Sequence, residues 1–236
     1  MYIMRIDRFY IHPDERELRH ELWINDKDMV HQWHNVLRLG EGAEVILFDG
    51  KQHERLYRVE ESSNSTYKLA HVTDMEPKRP AKHLHVFWGL LPKRDKNELI
   101  VQKCTELGAS VFTPIVTEHS EGKQFDAERA HKIAVEAAEQ CGRIDIPRIH
   151  EPSSLEHALG SHAEAKLYFA HISDYELPPT EADDQQPIGV FIGPEGGWSE
   201  EEVRQFIAGG VEPLDLGDMV LRAETAAIAA VTTLMS

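Results

Sequence analysis

The chain has 236 residues, with 25 Lys+Arg against 41 Asp+Glu and a formal net charge of −16 with histidine neutral. Its 41% hydrophobic and 28% charged residues mark a globular protein, neither disordered nor fibrous, and the length allows one large domain or two small ones. No apolar run approaches the roughly 18 residues needed to span a bilayer, residues 1–7 lack a signal peptide's apolar core, and Cys104 and Cys141 form no Cys-x-x-Cys. These features predict a cytoplasmic protein with no membrane contact, and exclude a disulfide scaffold or a thiolate zinc site.

Through the first 75 residues short apolar runs at 43–48, 56–59 and 66–72 alternate with turn signals such as Asp49-Gly50, predicting strands of a small barrel. A short helix is expected over 29–37, before Gly40. Glu76-Pro77-Lys78-Arg79-Pro80 is the best boundary in the chain, so the expected domains are 1–75 and 80–236. Beyond it the pattern changes to strands alternating with helices: strand 83–90, helix 95–107 closed by Gly108, strand 110–117, and helix 126–141 closed by Gly142. Strands 166–170 and 188–192 flank an acidic, Pro-rich loop at 177–187. Ser199-Glu200-Glu201-Glu202 has the spacing of a helix capping box, and a strand at 213–216 and a helix at 226–235 complete the chain. Such alternation predicts an α/β domain with a mostly parallel sheet.

Charge is unevenly spread: residues 148–236 carry 4 basic and 16 acidic side chains, whereas 78–103 hold seven basic residues against Asp95 and Glu98. A local basic face can hold a polyanion even on an acidic protein, because salt screens charges beyond roughly 8 Å. A solvated helix face gives the same composition.

Two segments carry the chemistry. Ile192-Gly193-Pro194-Glu195-Gly196-Gly197-Trp198-Ser199 leads from a buried strand into a capped helix, and its glycines let backbone approach a ligand, or simply close a tight turn. It is neither a P-loop nor Gly-x-Gly-x-x-Gly, and Glu195 suits a neutral or cationic ligand better than a phosphate. Leu216-Gly217-Asp218-Met219-Val220-Leu221-Arg222-Ala223-Glu224-Thr225-Ala226 runs into a helix of small residues that is apolar on every side and therefore expected to be buried, in the core or against a second subunit. Arg222 and Glu224 sit where that helix begins, either as an ion pair closing the loop or as working groups. His31/His34 and His83/His85 have spacings a metal could use, but without a Glu-flanked His-x-x-x-His motif no metal is expected.

Gly193-Pro194-Glu195-Gly196-Gly197 and Leu216-Gly217 followed by Val220-Leu221-Arg222-Ala223-Glu224-Thr225-Ala226 resemble the ribosomal RNA small subunit methyltransferase E family of the SPOUT class. Lys103-Cys104-Thr105-Glu106-Leu107-Gly108, Glu136-Ala137-Ala138-Glu139-Gln140-Cys141-Gly142-Arg143 and Arg38-Leu39-Gly40 agree in the same order along the chain, while Ala130-His131 departs from a frequent Arg-Trp. The resemblance implies a PUA-like β-barrel that binds RNA, and a SPOUT-type α/β domain with a deep trefoil knot that binds S-adenosylmethionine (SAM) and forms a homodimer. It implies methylation of uridine N3 in 16S rRNA, with 16S rRNA or the small ribosomal subunit as partner. The cofactor contacts expected from it are Ile192, Gly193, Pro194, Glu195, Gly196, Gly197, Leu216, Gly217, Val220, Leu221 and Ala226, with the loop after strand 166–170.

Methyl transfer needs an in-line nucleophile and stabilisation of the charge that builds on uracil as its N3 proton leaves. Arg222 is expected to donate to a uracil carbonyl, while Glu224 accepts the proton, orients Arg222 or caps the helix. Lys93, Arg94, Lys96 and Arg143, supported by Arg5, Arg8 and Arg38 on the barrel, are the candidate RNA contacts. Two other classes remain: an RNA-binding module of the same fold without catalysis, and a metabolic enzyme that uses the glycine loops for a nucleotide.

Overall fold

A computed structural model of the chain describes residues 6–122, 124–161, 164–171 and 186–236. The chain divides into two compact units, Met1–Arg79 with Ala138–Asp145, and Pro80–Ala137 with Ile146–Ser236.

The first unit is a five-stranded sheet in the order β1-β3-β4-β5-β2, made of β1 (Asp7–Tyr10), β2 (Glu21–Ile24), β3 (Glu44–Phe48), β4 (Glu54–Ser62) and β5 (Tyr67–Asp74). Only β1 and β3 run parallel; the other pairs are antiparallel. Between β2 and β3, helix α1 (Lys27–His31) continues as a π-turn, Gln32–Val36, where the sequence predicts one short helix. Asp49 makes the β3–β4 turn by accepting from the backbone N–H groups of Lys51, Gln52 and His53 at 2.8, 2.8 and 3.0 Å. Burial alone would raise the pKa of its carboxyl, but these donors and the His53 ring hold it below the ordinary carboxylate value. Register shifts between Leu56/Tyr57 and Val59/Glu61 bend the β4–β5 ribbon, and side chains of all five strands meet Trp33 in one core that includes Phe9, Leu22, Val45, Tyr57 and Leu69. Strands β1 and β2 are absent from the sequence-based expectation. Each has four residues, and β1 finds its partner β3 only through the fold.

The second unit is an all-parallel sheet in the order β12-β10-β11-β6-β7-β8, with β9 also on β7. Its strands are β6 (Leu84–Gly89), β7 (Val111–Val116), β8 (Arg148–Ile149), β9 (Ser153–Ser154), β10 (Lys166–Ala170), β11 (Ile188–Ile192) and β12 (Glu212–Leu214). Period-2 alternation sorts its side chains onto two faces. Leu84, Val86, Trp88, Ile188, Val190 and Ile192 pack under α2 (Arg94–Glu106), α3 (Ala127–Cys141) and α6 (Ala223–Met235). Phe87, Phe169 and Phe191 pack on the opposite face with α4 (Leu155–Gly160) and Phe206 of α5 (Glu200–Ala208). Both faces are covered, which is why the strands read as continuous apolar runs. The predicted helices and central strands are present, with glycines at positive φ after α2 (Gly108, 105°) and α3 (Gly142, 89°). The six-residue α4 and two-residue β8 and β9 are too short to leave a sequence period. Most of the predicted acidic loop, residues 177–185, lies outside the described residues.

Helix α6 starts at Ala223, three residues before the expected Ala226, because Arg222 in extended conformation occupies its N-cap. It buries Ala223, Glu224, Ala227, Ala230, Val231 and Leu234, and leaves Thr225, Thr232 and Thr233 exposed. The apolar helix is thus buried along one stripe within the chain. No helix among the described residues is long and apolar enough to cross a membrane.

Candidate active site

β11 sits between β10 and β6, although β10 precedes it and β12 lies beyond β10, so the chain after β12 returns past the carboxyl ends of β10 and β11 before α6 packs on β6 and β11. Such a reversal of strand order is where open α/β sheets form clefts. A cavity of about 290 Å³ lies there, between residues 192–198 and 216–226.

The first wall is tightly held. Pro194 rides on Gly89 of β6, where a Cβ would stand 2.5 Å from Pro194 Cδ and 2.7 Å from its backbone nitrogen. Gly197, at φ 70°, turns its N–H back to Pro194 O at 2.9 Å, a conformation that excludes most side chains. Trp198 donates its indole N–H to Ala170 O at 3.1 Å and stands edge-on to Phe206. The predicted capping box is complete: Ser199 Oγ accepts from Glu202 N at 3.3 Å and Glu202 Oε2 accepts from Ser199 N at 2.8 Å. Glu202 Oε1 also accepts from Glu118 N at 2.9 Å, so one buried carboxylate pins two loops.

The second wall is looser. Gly217, at φ 97°, donates to Asp215 Oδ1 at 2.8 Å, while Met219 and Val220 are 74% and 86% exposed. Arg222 is exposed and has no ion pair among the described residues. Glu224, in the first turn of α6, is 9% exposed and its Oε2 has no hydrogen-bond partner among the described residues.

Of the residues expected at the cofactor, Ile192, Gly193, Pro194, Glu195, Gly197, Leu216, Gly217, Val220, Leu221 and Ala226 line this cavity together. Gly196 instead backs onto His119, where a Cβ would lie 2.9 Å from His119 Cβ, and it lines the neighbouring cleft. His171, Trp198, Met219 and Ala223 also line the cavity; Trp198, Met219 and Ala223 lie within the two segments the sequence singled out, and His171 in the loop after strand 166–170.

The predicted basic face is largely spent on internal pairing. Lys96 pairs with the Glu195 carboxylate and stands 3.9 Å from Glu224 Oε2. The Glu195 hydrogen bond is the main cause that raises the Lys96 pKa, with Glu224 adding to it, while desolvation and Arg222 oppose. Arg94 donates to Glu98 at 2.7 Å, and Lys93 is exposed. Two residues expected at RNA, Arg143 and Arg8, are taken up by partners inside the first unit. Arg143 is buried against Asp145, and the half-buried Arg8 spends its guanidinium on Glu54 at 2.8 Å, Ala138 O at 3.0 Å and the ring of Phe48. Their charge is neutralised within the first unit, whose apolar shell would otherwise make it costly. Arg38 is exposed, at φ 55°, and Arg5 lies outside the described residues.

The family described as RNA methyltransferase domain matches residues 77–235, and that described as RNA methyltransferase PUA domain matches residues 35–70. Fold and site thus define an RNA methyltransferase. The Ribosomal RNA small subunit methyltransferase E of Bacillus subtilis is 31% identical over 87% of this chain and 86% of its own, and that of a Synechocystis species is 31% identical over 84% and 67%. A Legionella pneumophila structure in complex with the bound cofactor SAM superposes with a TM-score of 0.84, at 28% identity over 98% of this chain and 97% of its own. The chain belongs to the ribosomal RNA small subunit methyltransferase E family.

Proposed function

We propose that the cavity holds SAM and that the chain uses it to methylate N3 of a uridine in 16S rRNA on the assembled small ribosomal subunit. The observation that carries this reading is the cavity itself: apolar and backbone-lined at the strand ends, with a carboxylate, Glu195, and no lysine or arginine in its lining among the described residues. That lining suits a flat heterocycle joined to a sulfonium cation and suits a phosphate poorly. A Cβ on Gly193 would stand 3.4 Å from Gly197 Cα and from the Trp198 indole, so the cradle is drawn in around backbone. The names of the relatives and the SAM in the Legionella pneumophila neighbour support the same cofactor and substrate class.

When bound, SAM supplies an electrophilic methyl group. Ile192, Gly193, Pro194, Gly197, Leu216, Gly217, Val220, Leu221 and Ala226 enclose it and exclude water, while Glu195 faces its positive charge. Arg222, exposed and with no ion pair among the described residues, donates to a uracil carbonyl, where negative charge gathers as the N3 proton leaves. Glu224, two residues on in the first turn of α6, receives that proton. Lys93 and Arg94 at the start of α2, and Arg38 on the first unit, contact RNA phosphates, so affinity falls steeply with salt. Residues 1–75 act as the RNA-binding domain, and 80–236 as the catalytic one. The return of the chain past β10 and β11 supports a trefoil knot. The apolar Ala226, Ile228 and Ala229 of α6, which the chain covers only in part, support a homodimer through this domain, whose site of action is the cytoplasm.

The test is to incubate the protein with labelled SAM and small subunits lacking the modification, then digest the RNA to nucleosides. The expected result is label as N3-methyluridine at one position. SAM binding without label would support the cofactor but overturn the substrate, and neither binding nor label would favour an RNA-binding module of the same fold.

A further inference from the structure

Asn97 is buried beside Lys96 and ties the start of α2 to the end of β6. Its Oδ1 accepts from Trp88 Nε1 at 2.8 Å and Leu91 N at 3.1 Å, and its Nδ2 donates to Leu91 O at 2.9 Å and Lys93 O at 3.0 Å. These bonds fix the first turn of α2, and so fix where the Lys96 side chain leaves it. That side chain is 18% exposed, with its ammonium on Glu195 from the cavity wall and 3.9 Å from Glu224 of α6. Arg222 is the further charge whose field reaches the ammonium. Three segments far apart in sequence therefore meet at one cation. A phosphate brought to Lys96 would displace one carboxylate and face the other, which is unfavourable electrostatics for an RNA contact.

We propose that Lys96 is a positioning residue for methyl transfer: it holds Glu195 in the cavity wall and the buried Glu224 carboxylate in place beside it to take the uridine N3 proton. This rests on the functional reading above. The proton leaves N3 for Glu224, whose negative charge it cancels; the freed nitrogen pair bonds the methyl carbon, and the carbon–sulfur pair stays on sulfur as a neutral thioether. Lys96 is the cation within ion-pair distance of the enclosed Glu224 carboxylate among the described residues, and opposite charges at that distance hold each other in place.

The full-length wild type, Lys96→Met, Lys96→Arg and Lys93→Met are compared by calorimetric SAM binding, thermal melting, small-subunit affinity across salt, and single-turnover methyl transfer across pH. Lys96→Met is expected to slow transfer about 100-fold at neutral pH and to move the acid limb of the rate profile upward, with small-subunit affinity and its salt slope unchanged. Lys96→Arg recovers most of the rate, and Lys93→Met lowers small-subunit affinity and the salt slope instead. The proposal is overturned if Lys96→Met behaves as Lys93→Met does and keeps its rate at saturating small subunits. It is equally overturned if Lys96→Met and Lys96→Arg lose rate and melting temperature alike with no change in the pH profile. A wild type that binds SAM and transfers no methyl group overturns the functional reading itself, and is seen before any variant is compared.

Discussion

The two walls of the cavity are built from opposite materials. Residues 192–199 are fixed from every side: by Gly89 below Pro194, by Ala170 O on the Trp198 indole, by Lys96 on Glu195, and by Glu202 on Ser199 and Glu118. Residues 215–222 have a single side-chain hydrogen bond within the loop, Asp215 to Gly217, and hold Met219 and Val220 out in solvent. The difference separates two tasks. A wall that must present backbone groups in fixed positions is set by packing before any ligand arrives, whereas a wall carrying Arg222 toward a large substrate is left to be completed by what binds there.

The largest expected effect breaks the open wall. Arg222→Ala should lower single-turnover methyl transfer by about 100-fold or more while SAM affinity, read by calorimetry, stays close to wild type. Equal losses in both would contradict the role given to Arg222. Breaking the fixed wall comes next. Gly89→Ala forces a methyl group into Pro194, at 2.5 Å from its ring and 2.7 Å from its backbone, and should cost about 2 kcal/mol of stability together with most of the SAM affinity. For a chain of this length that is a fall of about 4–8 °C in Tm. Glu202→Ala removes the reciprocal cap and the Glu118 anchor and should cost about 1–2 kcal/mol, with a smaller loss of SAM affinity. Val220→Ser sharpens the contrast from the other side. Because the side chain is 86% exposed, Tm should move by less than that of any fixed-wall variant, within about 0.5 kcal/mol, while SAM binding weakens.

Much of this site was legible in the sequence because it is local. Glycines at strand ends, the Ser199–Glu202 spacing and the run from Leu216 to Ala226 each act within a few residues, and ten of the predicted contacts do line one cavity. The parallel sheet was legible for the same reason, since strands covered on both faces show as unbroken apolar runs. What sequence could not show is pairing at a distance. Lys96 reads as part of a basic run with Lys93 and Arg94, and its partner Glu195 lies 99 residues on. Arg8 reads as a surface arginine but is enclosed with Glu54 and the carbonyl of Ala138. Gly89 reads as an ordinary strand residue, and its need for a missing Cβ comes from a proline on another strand's loop. Strands β1 and β2 were missed because four residues in partial alternation gain their definition from neighbours in the sheet.

Hydrogen exchange of the backbone amides with and without SAM tests the account most directly. The fixed wall, 192–199, should be protected in the free protein and change little, while 216–222 should exchange quickly alone and become protected when SAM is added. Protection unchanged in both segments at saturating SAM, or a free protein in which 192–199 exchanges as fast as 216–222, would contradict it.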